Sequence, residues 1–166
     1  MTKLNFGCGK KIMKGWINVD IQEGKGIDKS FDFNKFPYPF KINTFDYILA
    51  DNVLEHLNEP KRVLDEFWRI SKPNAIVRIV VPYHNCDGAF NDVNHKHFFN
   101  MKTIELLVHP ERGYQFKSDN KFSIMKLDLL PTKLGKFIYP RELRNALSMI
   151  FNNICGQVET ILKVKK

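Results

Sequence analysis

A chain of 166 residues has room for one well-packed domain and is short for two. With 43% hydrophobic and 27% charged residues, including 14 Phe, 5 Tyr and 2 Trp, it has enough apolar surface to offset chain entropy, which excludes intrinsic disorder; its longest apolar stretch, Ala75 to Pro82, is broken by Arg78 and is far short of the roughly 20 residues that cross a bilayer, which excludes a membrane protein. The net charge of +8, from 26 basic and 18 acidic side chains, is spread along the chain apart from a short Lys163, Lys165, Lys166 tail, so a polyanionic partner is allowed but a general solubility charge is the simpler reading.

No repeat, low-complexity tract or linker is visible. Leu4-Asn5-Phe6 reads as a short strand running into the turn Gly7-Cys8-Gly9. Trp16 to Ile21 is a second strand, with Asp20 at its end, and Phe31-Asp32-Phe33 is a weaker third. Phe45 to Ala50 and Ala75 to Val81 are the fourth and fifth. Between these two, Pro60 opens a helix with Val63, Leu64, Phe67 and Ile70 on one face and Lys61, Arg62, Asp65, Glu66 and Arg69 opposite; Pro73-Asn74 stops it. Strand, helix, strand in this order implies a parallel α/β sheet with a right-handed crossover. Beyond it the pattern predicts a helix over Met101 to Val108, a strand over Lys121 to Leu130, a helix over Pro140 to Phe151 and a closing strand over Val158 to Val164.

The three cysteines, Cys8, Cys86 and Cys155, are widely spaced and form no C-x-x-C pair, which fits a reducing compartment better than disulfides or zinc. Met1-Thr2-Lys3 runs directly into Leu4-Asn5-Phe6 without an apolar leader, so a cytoplasmic location is expected.

In doubly wound sheets ligands bind outside the carboxyl ends of the strands. After the first strand, Gly7 and Gly9 permit positive φ and close approach of a ligand to the backbone, though a lone G-x-G is a common turn. After the second, Asp20 can hold the two hydroxyls of a ribose or can be a solvated strand end. Asp32 offers a carboxylate to an adenine amino group, and Phe33 offers an aromatic wall. The fourth strand runs into Asp51-Asn52-Val53-Leu54-Glu55-His56-Leu57, beside a switch point. Four such features after four successive strands are unlike coincidence.

Leu4 to Gly9, Gly15 to Asp20, Phe36-Pro37-Tyr38-Pro39-Phe40 with Phe45 to Ile48, Asp51 to Leu57, and Phe67-Trp68-Arg69-Ile70-Ser71-Lys72-Pro73 together resemble the class I S-adenosylmethionine-dependent methyltransferases of the small type 11 group. The resemblance implies one Rossmann-like methyltransferase domain over residues 1–166, mostly parallel with an antiparallel C-terminal strand. Residues 1–83 form its cofactor half and 84–166 its substrate side. It implies S-adenosyl-L-methionine as cofactor, with Gly7 and Gly9 against the methionyl part, Asp20 on the ribose hydroxyls, and Phe6, Cys8 and Ile21 as further cofactor-binding residues. Asp32 and Phe33 would face the adenine, and Asp51 with Asn52 would line the floor near the sulfonium.

The chain departs from longer nucleotide-binding patterns. A dinucleotide fold places its acidic residue about 20 residues beyond the glycines with a helix between; here Asp20 follows Gly9 at little more than half that distance. The connections from Asp20 to Phe31 and from Phe33 to Phe45 are also short, so the N-terminal covering helices are expected to be reduced or missing. A parallel sheet needs both faces covered. The apolar residues Leu143, Leu147, Ile150 and Phe151 could fold across the bare face, or a second copy or partner subunit could cover it. Lys10 and Lys11 replace the third glycine, which argues against a nicotinamide dehydrogenase; they are either a solvated loop or a salt bridge to the cofactor carboxylate.

Methyl transfer from a sulfonium needs alignment above all, and a base only where the nucleophile must lose a proton early. His84, His95 and His97 are the candidate catalytic bases; each can equally be a hydrogen-bonding loop residue. His95-x-His97 with Asp92 can be read as metal ligands, but no third ligand is firmly placed and no metal is expected. His56 reads as structural or cofactor-proximal. Asp51-Asn52-Val53 lacks the Pro-Pro-aromatic signature of amino-directed DNA methyltransferases, and no RNA-binding module fits the length. The first reading is therefore an enzyme methylating a small molecule, sugar or lipid-linked glycan. A catalytically silent partner subunit and an RNA methyltransferase are the alternatives.

Overall fold

The computed structural model describes residues 1–109, 113 and 121–166. Its strands are β1 Lys3–Phe6, β2 Ile17–Asp20, β3 Lys29–Ser30, β4 Phe45–Asp51, β5 Ser71–Pro82, β6 Phe122–Pro131 and β7 Cys155–Val164. They form one seven-stranded sheet in the order β3-β2-β1-β4-β5-β7-β6. Only β7 runs against its neighbours, pairing antiparallel with both β5 and β6. The strand order reverses between β1 and β4, which pair in parallel, and this is the switch point. Among the described residues no helix is long and apolar enough to cross a membrane.

Helix α1, Pro60–Ile70, connects β4 to β5 and buries Val63, Leu64, Phe67 and Ile70. Phe67 meets Phe6 edge-on at 5.0 Å between ring centres, so α1 lies on the sheet face carrying Leu4, Phe6, Ile48, Ala50, Val77 and Ile79, which stand level with one another in the strand register. Chain entry to the sheet comes earlier than Pro73-Asn74 suggests: Ser71 is already extended and pairs with Phe45, and the irregularity is absorbed by a register shift between Phe45 and Tyr47. The third strand is only Lys29–Ser30. Beyond it the chain leaves the sheet because Phe31 and Phe33 turn inward onto Phe6 and Tyr38. That aromatic layer stands where a connecting helix would otherwise lie. Glu66 of α1 anchors it by accepting from Tyr38 N at 2.6 Å, and Arg69 donates to the carbonyls of Tyr38 and Phe40.

Residues 7–16, 21–28 and 31–44 contain no helix, as their length predicts. The opposite face of the sheet, carrying Asn5, Tyr47, Arg78, Lys126 and Glu159, is finished with polar and aromatic contacts instead. Trp16 packs edge-on against Tyr47 at 5.5 Å, with the Lys3 ammonium over its ring. Helix α3, Arg141–Leu147, does not serve as the missing cover. Its buried side carries Arg144, and Ser148 just beyond it is also buried, while Leu143 is 48% and Ile150 75% exposed. Helix α2, Met101–Val108, matches its predicted span and is closed by a capping box between Asn100 and Thr103.

On this face Arg78 Nε donates to Glu159 Oε1 at 2.8 Å, and Lys126 pairs with the other oxygen. Burial alone would raise the Glu159 carboxyl, but the hydrogen bonds and charges of Lys126 and Arg78 prevail and hold it below the ordinary glutamate range. A carboxyl depressed in the folded state contributes stability that is present above its unfolded value, about pH 4.3, and is lost as pH falls through the folded value. Glu159→Gln is therefore expected to cost about 1–3 kcal/mol at pH 7. The deficit should shrink towards pH 3 in urea unfolding, and a pH-independent deficit would refute the linkage.

Candidate functional site

The glycine turn leaves β1 with Gly7 at φ 68° and Gly9 at φ 49°, both in the left-handed region. A Cβ on Gly7 would stand 2.4 Å from Val53 Cγ2, whereas one on Gly9 would meet nothing within 4 Å. The first glycine lets the turn close on the segment after β4, and the second leaves open space above it. No helix holds this turn in place. The buried Asn5 and Asn18 do so: Asn5 Nδ2 donates to Lys11 O and to Asn18 Oδ1, which also accepts from Met13 N. The side chains of Phe6 and Cys8 are buried, and burial pushes the Cys8 thiol pKa up, so these two residues can offer a ligand only backbone.

Asp20 is half-buried at the end of β2. Its Oδ2 accepts from Gly9 N at 2.7 Å and its Oδ1 from Gln22 N at 3.2 Å, tying the carboxylate to the glycine turn. Ile21 beside it is 57% exposed. Asp32 closes an Asx turn by accepting from Asn34 N at 2.9 Å and keeps a partly open carboxylate. The expectation for Phe33 needs correction: its ring is buried and stacked on Phe6 at 4.0 Å, committed to the core rather than presented as a wall. The exposed apolar surface in this part of the site is Ile21.

At the end of β4 the Lys11 ammonium reaches Asp51 Oδ2 at 2.8 Å, bridging the glycine turn to the neighbouring strand. Asn52, at φ 55°, donates to Asp51 Oδ1 and accepts from Gln157 of β7. Lys11 is thus neither a plain solvated loop residue nor a free cation.

The three candidate histidines diverge. His84 follows β5 and lines a cavity of about 580 Å³ with Tyr83, Met101, Leu129, Asn145 and Met149. Its place is fixed by His84 N donating to Phe99 O and by Asn85 Nδ2 donating to Ser148 O. His97 turns outward, its Nε2 donating to Asn58 O at 3.3 Å, into a groove between α1 and α2. His95 turns inward onto His56, with ring centres 4.7 Å apart. Their juxtaposition, and the presence of Glu55 within 4.8 Å of both, is not written in the local sequence. Glu55 is 1% exposed, and burial, reinforced by Asp51 and Asp92, pushes its carboxyl up to about 7 against the opposing pull of its own backbone N–H and of His95. A Glu-His pair flanked by the apolar Val53, Leu54 and Leu57 is the available signal.

A family model described as a methyltransferase domain matches residues 4–79. An uncharacterized protein of Methanocaldococcus jannaschii is 30% identical over 182 residues, covering 98% of this chain and 78% of that protein. Among solved structures, a SAM-dependent methyltransferase from Archaeoglobus fulgidus superposes with a TM-score of 0.67 at 16% identity, over 98% of this chain and 85% of its own. A chain from the Haloferax volcanii complex between the Trm112 methyltransferase activator and a methyltransferase gives 0.61 at 14% identity, over 99% and 83%. An S-adenosylmethionine-dependent methyltransferase from Mesorhizobium loti gives 0.61 at 13%, over 98% and 90%.

Proposed function

Because the chain belongs to the class I S-adenosylmethionine-dependent methyltransferases, we propose that it moves a methyl group to a small-molecule or glycan acceptor, with the cofactor lying over the Gly7–Gly9 turn between Asp20 and Asp51. One observation carries this reading: polar groups at the carboxyl ends of adjacent strands are linked into one arc by the Gly9–Asp20 hydrogen bond and the Lys11–Asp51 ion pair. On this reading residues 1–83 supply the cofactor half of the domain and residues 84–166 the acceptor side.

The residues present fit the group. Asp20 spends one hydrogen bond on each oxygen within the chain, and a carboxylate can accept about four, so two ribose hydroxyls find acceptors. Ile21 gives the adenine an apolar surface, and Asp32 an acceptor for its amino group. The open space at Gly9 admits the methionyl chain against the backbone. A zwitterionic amino-acid end can exchange partners with the Lys11–Asp51 pair, its ammonium on Asp51 and its carboxylate on Lys11. The bound cofactor supplies a methyl group made electrophilic by a positively charged sulfur. What the chain contributes is alignment and exclusion of water; orientation alone can be worth about 7–11 kcal/mol of barrier.

The cavity beside His84 supports an organic acceptor of modest size. Its volume of about 580 Å³ falls in the ordinary range of small-ligand pockets. Tyr83, Met101, Leu129 and Met149 make its walls apolar, and His84 and Asn145 offer polar contacts that could orient an acceptor or take its proton. This lining is not the basic, stacking channel that RNA would require. Calorimetry with S-adenosylmethionine followed by an acceptor screen with labelled methyl donor tests the reading: one saturable site per chain is expected, and absence of binding would sink it.

One observation favours the second reading, a silent partner subunit. Phe137, Tyr139 and Met149 are each more than three-quarters exposed in the C-terminal segment, an apolar surface suited to another chain. That reading predicts a chain that binds no cofactor alone. Light scattering alongside the calorimetry separates self-association from a need for a different subunit.

A further inference from the structure

We propose that Glu55, His56 and His95 form a binding site for a divalent transition-metal cation, beside the cofactor arc and distinct from it. One ligand atom from each of the three residues lies within 4.8 Å of the others. Around a cation held by bonds of about 2.0–2.1 Å, ligand atoms stand about 3.4 Å apart, so modest side-chain rotation closes the triad. The site is also built by its surroundings. His95 Nδ1 donates to Ala89 O at 2.7 Å, which leaves the Nε2 lone pair for a metal; a hydrogen bond from the other ring nitrogen is the usual device that orients a ligating histidine. The loop bearing His95 is pinned over the turn bearing Glu55 and His56, because Lys96 N and His97 N both donate to Glu55 O.

Glu55 supplies the independent argument. Its side chain is buried, and among the described residues no other residue donates a hydrogen bond to either carboxylate oxygen. An uncompensated buried carboxylate is costly. The residues facing it are His56 and His95 together with Asp51 and Asp92, both of which are near enough to act on it electrostatically. Asp92 adds negative potential here, while the Asp51 charge is already paired with the Lys11 ammonium. Two imidazoles with one carboxylate select a borderline transition ion such as zinc, cobalt or iron(II) over magnesium or calcium. Three protein ligands leave positions for water or, if the methyltransferase reading holds, for an oxygen of the acceptor.

The test uses the full chain, untagged and stripped with chelator, titrated with Co²⁺ by visible absorption and with Zn²⁺ by calorimetry. One cation per chain is expected, with a cobalt spectrum of nitrogen and oxygen ligation. His95→Ala and Glu55→Gln should each weaken binding by at least about 100-fold, above the about 10–100-fold typical of outer-shell partners. His97→Ala and His84→Ala should bind as the native chain does. Circular dichroism and thermal unfolding verify each variant; should Glu55→Gln fail to fold, His95→Ala, in a loop, decides. No saturable cobalt or zinc binding, or undiminished binding by folded His95→Ala, overturns the site. S-adenosylmethionine is titrated separately, so its binding without metal binding defeats this inference and spares the methyltransferase reading, and the converse result defeats that reading alone.

Discussion

Asp20→Ala should weaken S-adenosylmethionine binding by about 30- to 1,000-fold, the consequence of losing about 2–4 kcal/mol of charge-assisted hydrogen bonding to the two ribose hydroxyls that the proposed function assigns to it. The carboxylate also accepts from Gly9 N and Gln22 N, so part of the loss comes through a loosened glycine turn. Asp20→Asn separates the two contributions. It keeps one oxygen that can accept from Gly9 N but cannot accept from both hydroxyls as an anion, so its affinity should fall between those of the native chain and Asp20→Ala. Because Asp20 is half-buried at a strand end rather than in the core, both variants should remain folded. Equal affinity of native chain and Asp20→Ala in calorimetry would remove Asp20 from the cofactor site.

Gly7→Ala is expected to destabilise the fold by about 2–5 kcal/mol, the sum of a left-handed backbone penalty of about 1–2 kcal/mol and an overpacking penalty of about 1–3 kcal/mol. The added methyl would lie 2.4 Å from Val53 Cγ2 and 3.0 Å from Cγ1, and Val53 is itself buried and unable to retreat. Combining Gly7→Ala with Val53→Ala should recover the overpacking part and leave the backbone part. The two substitutions would then be non-additive by about 1–3 kcal/mol, the whole of the overpacking part. Additivity in urea unfolding would mean that the turn moves away from Val53 at little cost. Gly9→Ala makes the contrast: its methyl meets nothing within 4 Å, so its stability cost is confined to the backbone, yet the group would project into the proposed cofactor space. On the proposed reading Gly7 acts through the fold and Gly9 through the ligand.

The same division shows how far the sequence could be read. The Gly7-Cys8-Gly9 turn, Asp20 at a strand end and the Pro60 helix are local features, each written in a few contiguous residues whose conformational preferences are strong. A parallel sheet with a right-handed crossover follows from them, and the shortness of the Gly9–Asp20, Asp20–Phe31 and Phe33–Phe45 connections already points to reduced or missing covering helices, whereas the strand order comes from the tertiary structure. What replaced those helices was not legible. The Asn5–Asn18 amide pair that holds the glycine turn, the inward packing of Phe31 and Phe33, and the Arg78–Glu159–Lys126 group on the open face all join residues distant along the chain.

Phe33 shows why. An aromatic after a strand is compatible with a ligand wall and with a core, and only the position of Phe6 and Tyr38 decides between them. The histidines make the same point from the other side: His84, His95 and His97 look equivalent in sequence, but the loop's bonds to Glu55 O send His95 inward and leave His97 to Asn58. By itself, the sequence determined the parallel sheet and the polar residues that stand at its strand ends, because these depend on backbone conformation and short-range pattern. Only the tertiary structure decided which side chains meet, because burial and the direction of each side chain are set by neighbours contributed from other parts of the chain.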